Sequence, residues 1–193
     1  MDALDTDYID LMIIHSPQPW ADFHGEDRYF AGNLEAWRAL EEAHAAGRIR
    51  SIGVSNFEQV DLQNLLDHGS VKPVVNQVLA HVGNTPFELI DFCQSRDILV
   101  EAYSPMGHGE ILRHPAVIEI AERYAVTVPQ LCIRYTLQLG AVSLPKTANP
   151  AHMRSNAELD FVISDADMEA LKGVERIKDY GDSSEFPVYW SKD

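Results

Sequence analysis

Cysteine is nearly missing from this 193-residue chain, which carries only Cys93 and Cys132. Both fall in stretches of helical periodicity and neither has metal-ligand spacing. Reduced, structural thiols are expected, with no disulfide framework and no metal site. Basic residues are also scarce, 15 against 30 acidic ones, for a formal charge of −15. A broad phosphate contact needs a basic face, so nucleic acid and anionic membrane surfaces are not expected partners. A local basic pocket for one anion remains compatible with that charge. No apolar run approaches the roughly 18 residues of a membrane span. The acidic start, Met1-Asp2-Ala3-Leu4-Asp5, lacks the basic and apolar regions of a secretory signal. A soluble, cytoplasmic protein is the expectation. No glycine-rich dinucleotide fingerprint follows any candidate strand, which disfavours a Rossmann-type domain while leaving an open flavodoxin-like sheet in play. No serine sits in a nucleophile elbow, so a hydrolase is a poor reading. Hairpin signals are missing too.

What is present is strand-helix alternation. The composition, 46% hydrophobic and 23% charged, is that of an ordinary globular chain. Ile9 to Ile14 reads as a buried strand that stops at His15, with Pro17 preventing continuation. Further strands are predicted over 49–54, 71–78 (interrupted by Pro73), 98–102 and 141–144. Between them lie helical patterns: one capped by Asn33 and stopped by Gly47, one over 59–67, and one opened by Thr85 as cap and Pro86. Two more run over 115–124 and 129–139, and helices near Pro150 and over 165–174 follow. The loop from Pro17 to Gly32, rich in aromatics, is expected to wall a pocket.

Alternation without hairpins implies a parallel sheet with crossover helices. Every predicted strand ends in polar side chains: His15, Ser55-Asn56, Gln77, Tyr103-Ser104 and Lys146-Thr147. In a barrel those ends share one face, the face where such folds place their chemistry. A barrel is therefore the preferred architecture. Each residue also has a plain structural role open to it: a core histidine, a helix cap, ordinary packing or a solvated lysine.

These residues also carry a family resemblance. Asp7-Tyr8-Ile9-Asp10-Leu11 through Ile14-His15, and Gly47 to Phe57 with its Gly53-Val54-Ser55-Asn56-Phe57, resemble the aldo-keto reductases. Asn76-Gln77, Glu101-Ala102-Tyr103-Ser104-Pro105 and Pro145-Lys146-Thr147 follow in that family's order. The resemblance implies an α/β fold of (β/α)8 TIM-barrel type, here an incomplete barrel of about five parallel strands with flanking helices. Residues 1–178 would be the later part of that barrel and 179–193 a C-terminal tail resembling a substrate loop.

The implied chemistry is NAD(P)H-dependent reduction of a small aldehyde or ketone to an alcohol, with no metal. His15 matches the active-site histidine that orients the carbonyl. Ser55, Asn56 and Gln77 would bind the nicotinamide carboxamide, and Tyr103 would stack on its ring. Ser104, Met106 and Gly107 would follow the diphosphate. Lys146, Thr147, His152, Arg154 and Asn156 would meet the adenosine 2′-phosphate. Ser16, Trp20 and Trp190 would line the substrate pocket. His152 stands where the family usually has arginine, so NADPH is expected with NADH also possible.

The sequence departs from the family at its front. The proton-donating tyrosine and the aspartate and lysine that tune it have no equivalents here. Tyr8 and Asp10 lie at the opposite end of the first strand, which puts Tyr8 roughly 20 Å from His15 at about 3.3 Å per residue. Five strands would leave two unpaired edges, which invites completion by another segment or a second copy. The alternative implied by this departure is a truncated remnant or a non-catalytic, cofactor-binding subunit, like the barrel subunits attached to potassium channels.

Overall fold

All five predicted strands form. The computed structural model describes residues 4–189 and contains β1 (Ile9–Ile14), β2 (Ile49–Ser55), β3 (Val75–Leu79), β4 (Leu99–Tyr103) and β5 (Val142–Leu144). The helices are α1 (Phe30–Ala45), α2 (Gln59–His68), α3 (Phe87–Gln94), α4 (Pro115–Arg123), α5 (Val128–Gln138), α6 (Pro150–Ser155) and α7 (Asp165–Lys172). The strands form one sheet in chain order, β1-β2-β3-β4-β5. The registered ladders β1·β2, β2·β3 and β4·β5 are parallel. The fold is α/β, as strand-helix alternation predicted. The chain divides into two compact units, one from residues 1–78 with Glu88–Val100, the other from Leu79–Phe87 with residues 101–193.

In the first unit, Trp37 of α1 is fully buried and its indole N–H donates to the Val71 carbonyl at 3.0 Å. Ile52, Val54, Phe57, Leu62 and Leu65 are buried with almost no exposure. α2 starts with a capping box: the Glu58 N–H donates to the Asp61 carboxylate at 2.9 Å, while the Glu58 side chain accepts from the helix backbone. Asp61 also takes the Arg28 guanidinium, whose Nε donates at 3.1 Å. Burial pushes the Asp61 carboxyl up, and Arg28 opposes that shift.

The second unit has a continuous apolar core that includes Ile111, Val117, Ile120, Leu131, Tyr135, Ile163 and Leu171. α5 opens one residue before the predicted start because Thr127 and Gln130 make a reciprocal capping box around Pro129. Ser164 caps α7, its hydroxyl accepting from the Asp167 N–H at 3.2 Å. Cys132 is buried and its thiol is pushed up to about 12. Cys93, buried in α3, is pushed up to about 11, also by burial, so both thiols stay protonated.

Four local expectations are corrected. β1 is not a buried strand: Leu11 and Met12 are 36% and 43% exposed, because β1 occupies the sheet edge. Asn33 does not cap α1. The helix begins at Phe30, after Tyr29 in a left-handed conformation, and the buried Asn33 amide donates to the Pro17 and Arg28 carbonyls. β3 starts at Val75 because Pro73 has no N–H to give; pairing begins at Val74, whose N–H meets the Ile52 carbonyl at 3.0 Å. Thr85 is drawn away from a capping role, its hydroxyl bonding the His81 carbonyl and the Tyr135 hydroxyl at 2.8 and 2.9 Å.

Candidate active site

In the first unit, sheet register aligns three of the expected residues. Ile14 pairs with Val54 and Ser55 with Gln77, so His15, one residue beyond Ile14, stands in the row of Ser55 and Gln77. Asn56 closes this row. Its side-chain amide donates to the His15 carbonyl at 3.0 Å and to Ser55 Oγ at 3.1 Å. Ser55 Oγ donates to the Gln77 carbonyl at 2.8 Å, which the Asn56 N–H also approaches at 2.9 Å. Asn56 holds φ at 60°, a left-handed conformation that asparagine tolerates better than most residues. Ser55 is buried, whereas the His15 side chain is exposed.

The aromatic loop is built beside that histidine. Trp20, in a short 3-10 turn at Trp20–Asp22, meets the His15 ring edge-on with centroids 5.5 Å apart, and Phe23 continues the stack at 5.2 Å. Ser16 turns inward on its own segment, its hydroxyl donating to the Gln18 carbonyl at 2.6 Å. Gln18 organises the loop. Its amide donates to the Gly25 and Asp27 carbonyls at 3.0 and 2.6 Å and accepts from the His24 N–H at 3.0 Å. Nothing in a Pro-Gln-Pro sequence announces that role. Tyr8 and Asp10 are engaged elsewhere: the Arg50 guanidinium lies 3.6 Å over the Tyr8 ring and 2.9 Å from the Asp10 carboxylate.

The second unit builds a cavity of about 380 Å³ where β4 ends, walled by Ser104, Met106, His108, Leu112, Leu144 and Lys146. β4 pairs with β5 through Tyr103 and Leu144, which places Ser104 and Lys146 just past two neighbouring strand ends. The turn leaving β4 is unusual: Ser104, Gly107, His108 and Gly109 all have positive φ, at 52°, 50°, 52° and 97°. Gly107 is required twice over, since a Cβ there would also sit 3.2 Å from the His81 ring. Burial raises the Tyr103 phenol, with Tyr189 and Tyr180 adding to the shift. The exposed Lys146 is followed by Thr147, whose hydroxyl accepts from the Asn149 N–H at 3.1 Å. Asn149 caps α6; His152 and Arg154 are exposed in its last turn, and Asn156 is its C-cap.

Register and hydrogen bonds therefore bring His15, Ser55, Asn56 and Gln77 together in one unit. One cavity gathers Ser104, Met106 and Lys146 in the other, with Gly107 behind its rim. Trp190 lies outside the described residues. Sequence reasoning missed His108 and His81 and took Tyr180 and Tyr189 only as part of a pocket-lining tail; all four cluster at the turn. His81 is fully buried; burial lowers its pKa to about 4, so it is neutral, and its Nε2 meets the Tyr180 hydroxyl at 3.1 Å. His108 lies against the Tyr189 hydroxyl and the Ser183 hydroxyl. The aromatic tail that carries Tyr180 and Tyr189 was the trace of this cluster in the sequence.

A hydroxyl, an imidazole and an ammonium around one cavity suit an anionic group, and Lys146 supplies local positive charge in an otherwise acidic chain. Among the described residues no group of three His, Cys, Asp or Glu side chains has metal-binding geometry, and no helix is long and apolar enough to cross a membrane.

Residues 1–176 match the model of the Aldo/keto reductase family. An uncharacterized oxidoreductase of Bacillus subtilis is 38% identical over 172 residues, covering 89% of this chain and 58% of that protein. The glyoxal reductase of the same organism is 37% identical over 177 residues, covering 91% and 60%. A Bombyx mori aldo-keto reductase solved in complex with NADP superposes with a TM-score of 0.81 at 30% identity, over 98% of this chain and 66% of that one. The chain thus spans about 60% of the length of these curated relatives. Strand order, the polar strand ends and a match along nearly all of its length agree: the chain belongs to the aldo/keto reductase family.

Proposed function

We propose that this chain carries the carbonyl-orienting and cofactor-holding residues of an NAD(P)H-dependent reductase that converts a small aldehyde or ketone to an alcohol. The observation that carries the reading is the row of His15, Ser55 and Gln77, fixed by register and tied by the Asn56 amide. In this reading the His15 imidazole donates to the substrate carbonyl and sets its face, with Ser16, Trp20 and Trp190 around the substrate. Ser55, Asn56 and Gln77 orient the carboxamide of the cofactor, and Tyr103 stacks on its ring. The reduced nicotinamide supplies the hydride when bound. Ser104, Met106 and Gly107 line the diphosphate. Lys146, Thr147, His152, Arg154 and Asn156 serve the adenosine end, with NADPH preferred and NADH tolerated because His152 replaces a guanidinium.

In this reading the proton donor comes from outside these 193 residues, a reading supported by the contacts that Tyr8 and Asp10 make with Arg50. The same observation supports a second reading, a cofactor-binding subunit without catalysis. The exposed apolar residues of the edge strands β1 and β5, Met12 and Val142 among them, fit pairing with another segment or a second copy. A cytoplasmic location agrees with the reduced thiols.

Fluorescence titration with NADPH and NADH tests the reading. Micromolar binding of NADPH is expected, and Lys146→Met should weaken it about tenfold while changing NADH little. Failure to bind either nucleotide would sink the proposal. Carbonyl reduction by these 193 residues, with no second polypeptide present, would refute an external proton donor.

A further inference from the structure

We propose that residues 180–189 form a latch that holds the phosphate-facing turn in its binding conformation, with His108 as the positioning residue through which the latch acts. This rests on the reading that Ser104 to Gly107 face the diphosphate of a dinucleotide.

The turn from Ser104 to Gly109 has two backbone bonds of its own, from the Gly107 N–H to the Ser104 carbonyl and from the Gly109 N–H to the Met106 carbonyl, both at 2.8 Å, but they must work against its backbone strain. Four of its six residues lie at positive φ, and two of them, Ser104 and His108, have side chains that disfavour that region. Such a backbone persists only where its surroundings fix it. The 180–189 segment supplies those ties at three points. At its start, Tyr180 is 2% exposed, and its hydroxyl sits between His81 Nε2 at 3.1 Å and the Asn84 amide at 2.9 Å. His81 in turn packs under Gly107, where a Cβ would approach its ring to 3.2 Å. In its middle, the Ser183 hydroxyl meets His108 Nδ1 at 2.9 Å. At its end, the Tyr189 hydroxyl meets His108 Nε2 and lies 3.2 Å from Ser104 Oγ.

Both ring nitrogens of His108 are thus occupied by hydroxyls of the segment. A neutral imidazole has one donor and one acceptor, and two hydroxyls satisfy both. Two anchors, Tyr180 and Tyr189, bracket a short run of 3-10 turns over Gly181–Glu185 and Pro187–Tyr189 that has no buried apolar side chain in its first part. The segment is held by the buried Tyr180, Pro187 and Tyr189 and by hydrogen bonds to the turn and to His81, and because His108 and His81 make both the ring contacts and the hydrogen bonds, the order of segment and turn is coupled. Binding an anion at the turn then favours the closed latch, and an open latch weakens the anion's site.

The test uses Tyr189→Phe, which removes one hydroxyl and keeps the ring, and His108→Asn, which keeps a side chain suited to positive φ but cannot span to both hydroxyls. Binding is measured for NADPH, for 2′-phospho-ADP-ribose, which has the diphosphate and no nicotinamide, and for reduced nicotinamide mononucleotide, which has no diphosphate bridge. The latch requires both variants to weaken the first two ligands by about five- to tenfold, as expected for one lost hydrogen bond, and to leave the mononucleotide unchanged. Amide exchange across 180–189 should rise in both variants with no ligand present. Equal loss for all three ligands would mean general destabilisation and overturn the latch, as would unchanged affinity or unchanged exchange. A wild-type protein that binds no nucleotide overturns the proposed function as well, while exchange in the ligand-free variants still reports separately whether the latch exists.

Discussion

At the ends of β1 to β3, the site residues are tied to strand backbones: Asn56 to the His15 carbonyl, Ser55 to the Gln77 carbonyl. At the end of β4, Ser104 and His108 are tied instead to hydroxyls of Ser183 and Tyr189, 75 to 85 positions further along the chain. The first arrangement is as rigid as the ladder that carries it. The second depends on a segment of short 3-10 turns and on a buried neutral histidine. One unit therefore presents a preorganised rack, the other a turn whose shape is conditional.

The largest expected test of this difference is acid. His81 has an ordinary value of 6.5 and falls to about 4 in the folded chain, chiefly because burial penalises its charged form. Between those values the unfolded chain binds a proton there that the folded chain refuses. His81 therefore leaves stability intact above pH 6.5 and erodes it as pH falls towards 4, by on the order of 3 kcal/mol in all. Urea unfolding at stepped pH measures the loss. Amide exchange should place its onset at 180–189 and the turn, with the strand ends of the first unit protected to lower pH. Simultaneous opening of both regions would erase the distinction.

A smaller effect comes from two glycines. Gly47, in the first unit, has φ 72° with open space around its Cβ position, so Gly47→Ala should cost about 1 kcal/mol, the strain of a left-handed alanine. Gly107 has φ 50° and His81 beneath it, so Gly107→Ala should cost about 2 kcal/mol or more and also weaken nucleotide binding. Denaturation midpoints compare the two; equal costs would mean that His81 does not brace the turn.

The same contrast explains what could be read from the sequence. The strands, their parallel order and the row of His15, Ser55, Asn56 and Gln77 were legible because each residue sits within two positions of a strand end, and hydrophobic runs mark those ends. The exposure of β1 was not, since an apolar run looks alike at the edge and the centre of a sheet. The cluster around His108 was hidden because its partners lie in a tail without periodicity. Gln18 and Asn33 were hidden for a related reason: a side chain that bonds loop carbonyls leaves no pattern.

The finest test of the comparison is at Asn56, which does two jobs that separate substitutions can part. Its φ of 60° demands a residue tolerant of left-handed backbone, and its amide bonds the His15 carbonyl and Ser55 Oγ. Asn56→Gly satisfies the backbone and deletes the amide, so its cost isolates the side-chain bonds, about 1 kcal/mol for this half-exposed pair. Asn56→Ala deletes the same bonds and adds left-handed strain, about 1 kcal/mol more. Urea unfolding of the two variants gives both quantities. If alanine proved no worse than glycine, the strand end would be relaxing freely and the first unit would not be the rigid one. If glycine matched the wild type, the amide would not hold His15 in its row, and the rack would reduce to sheet register alone.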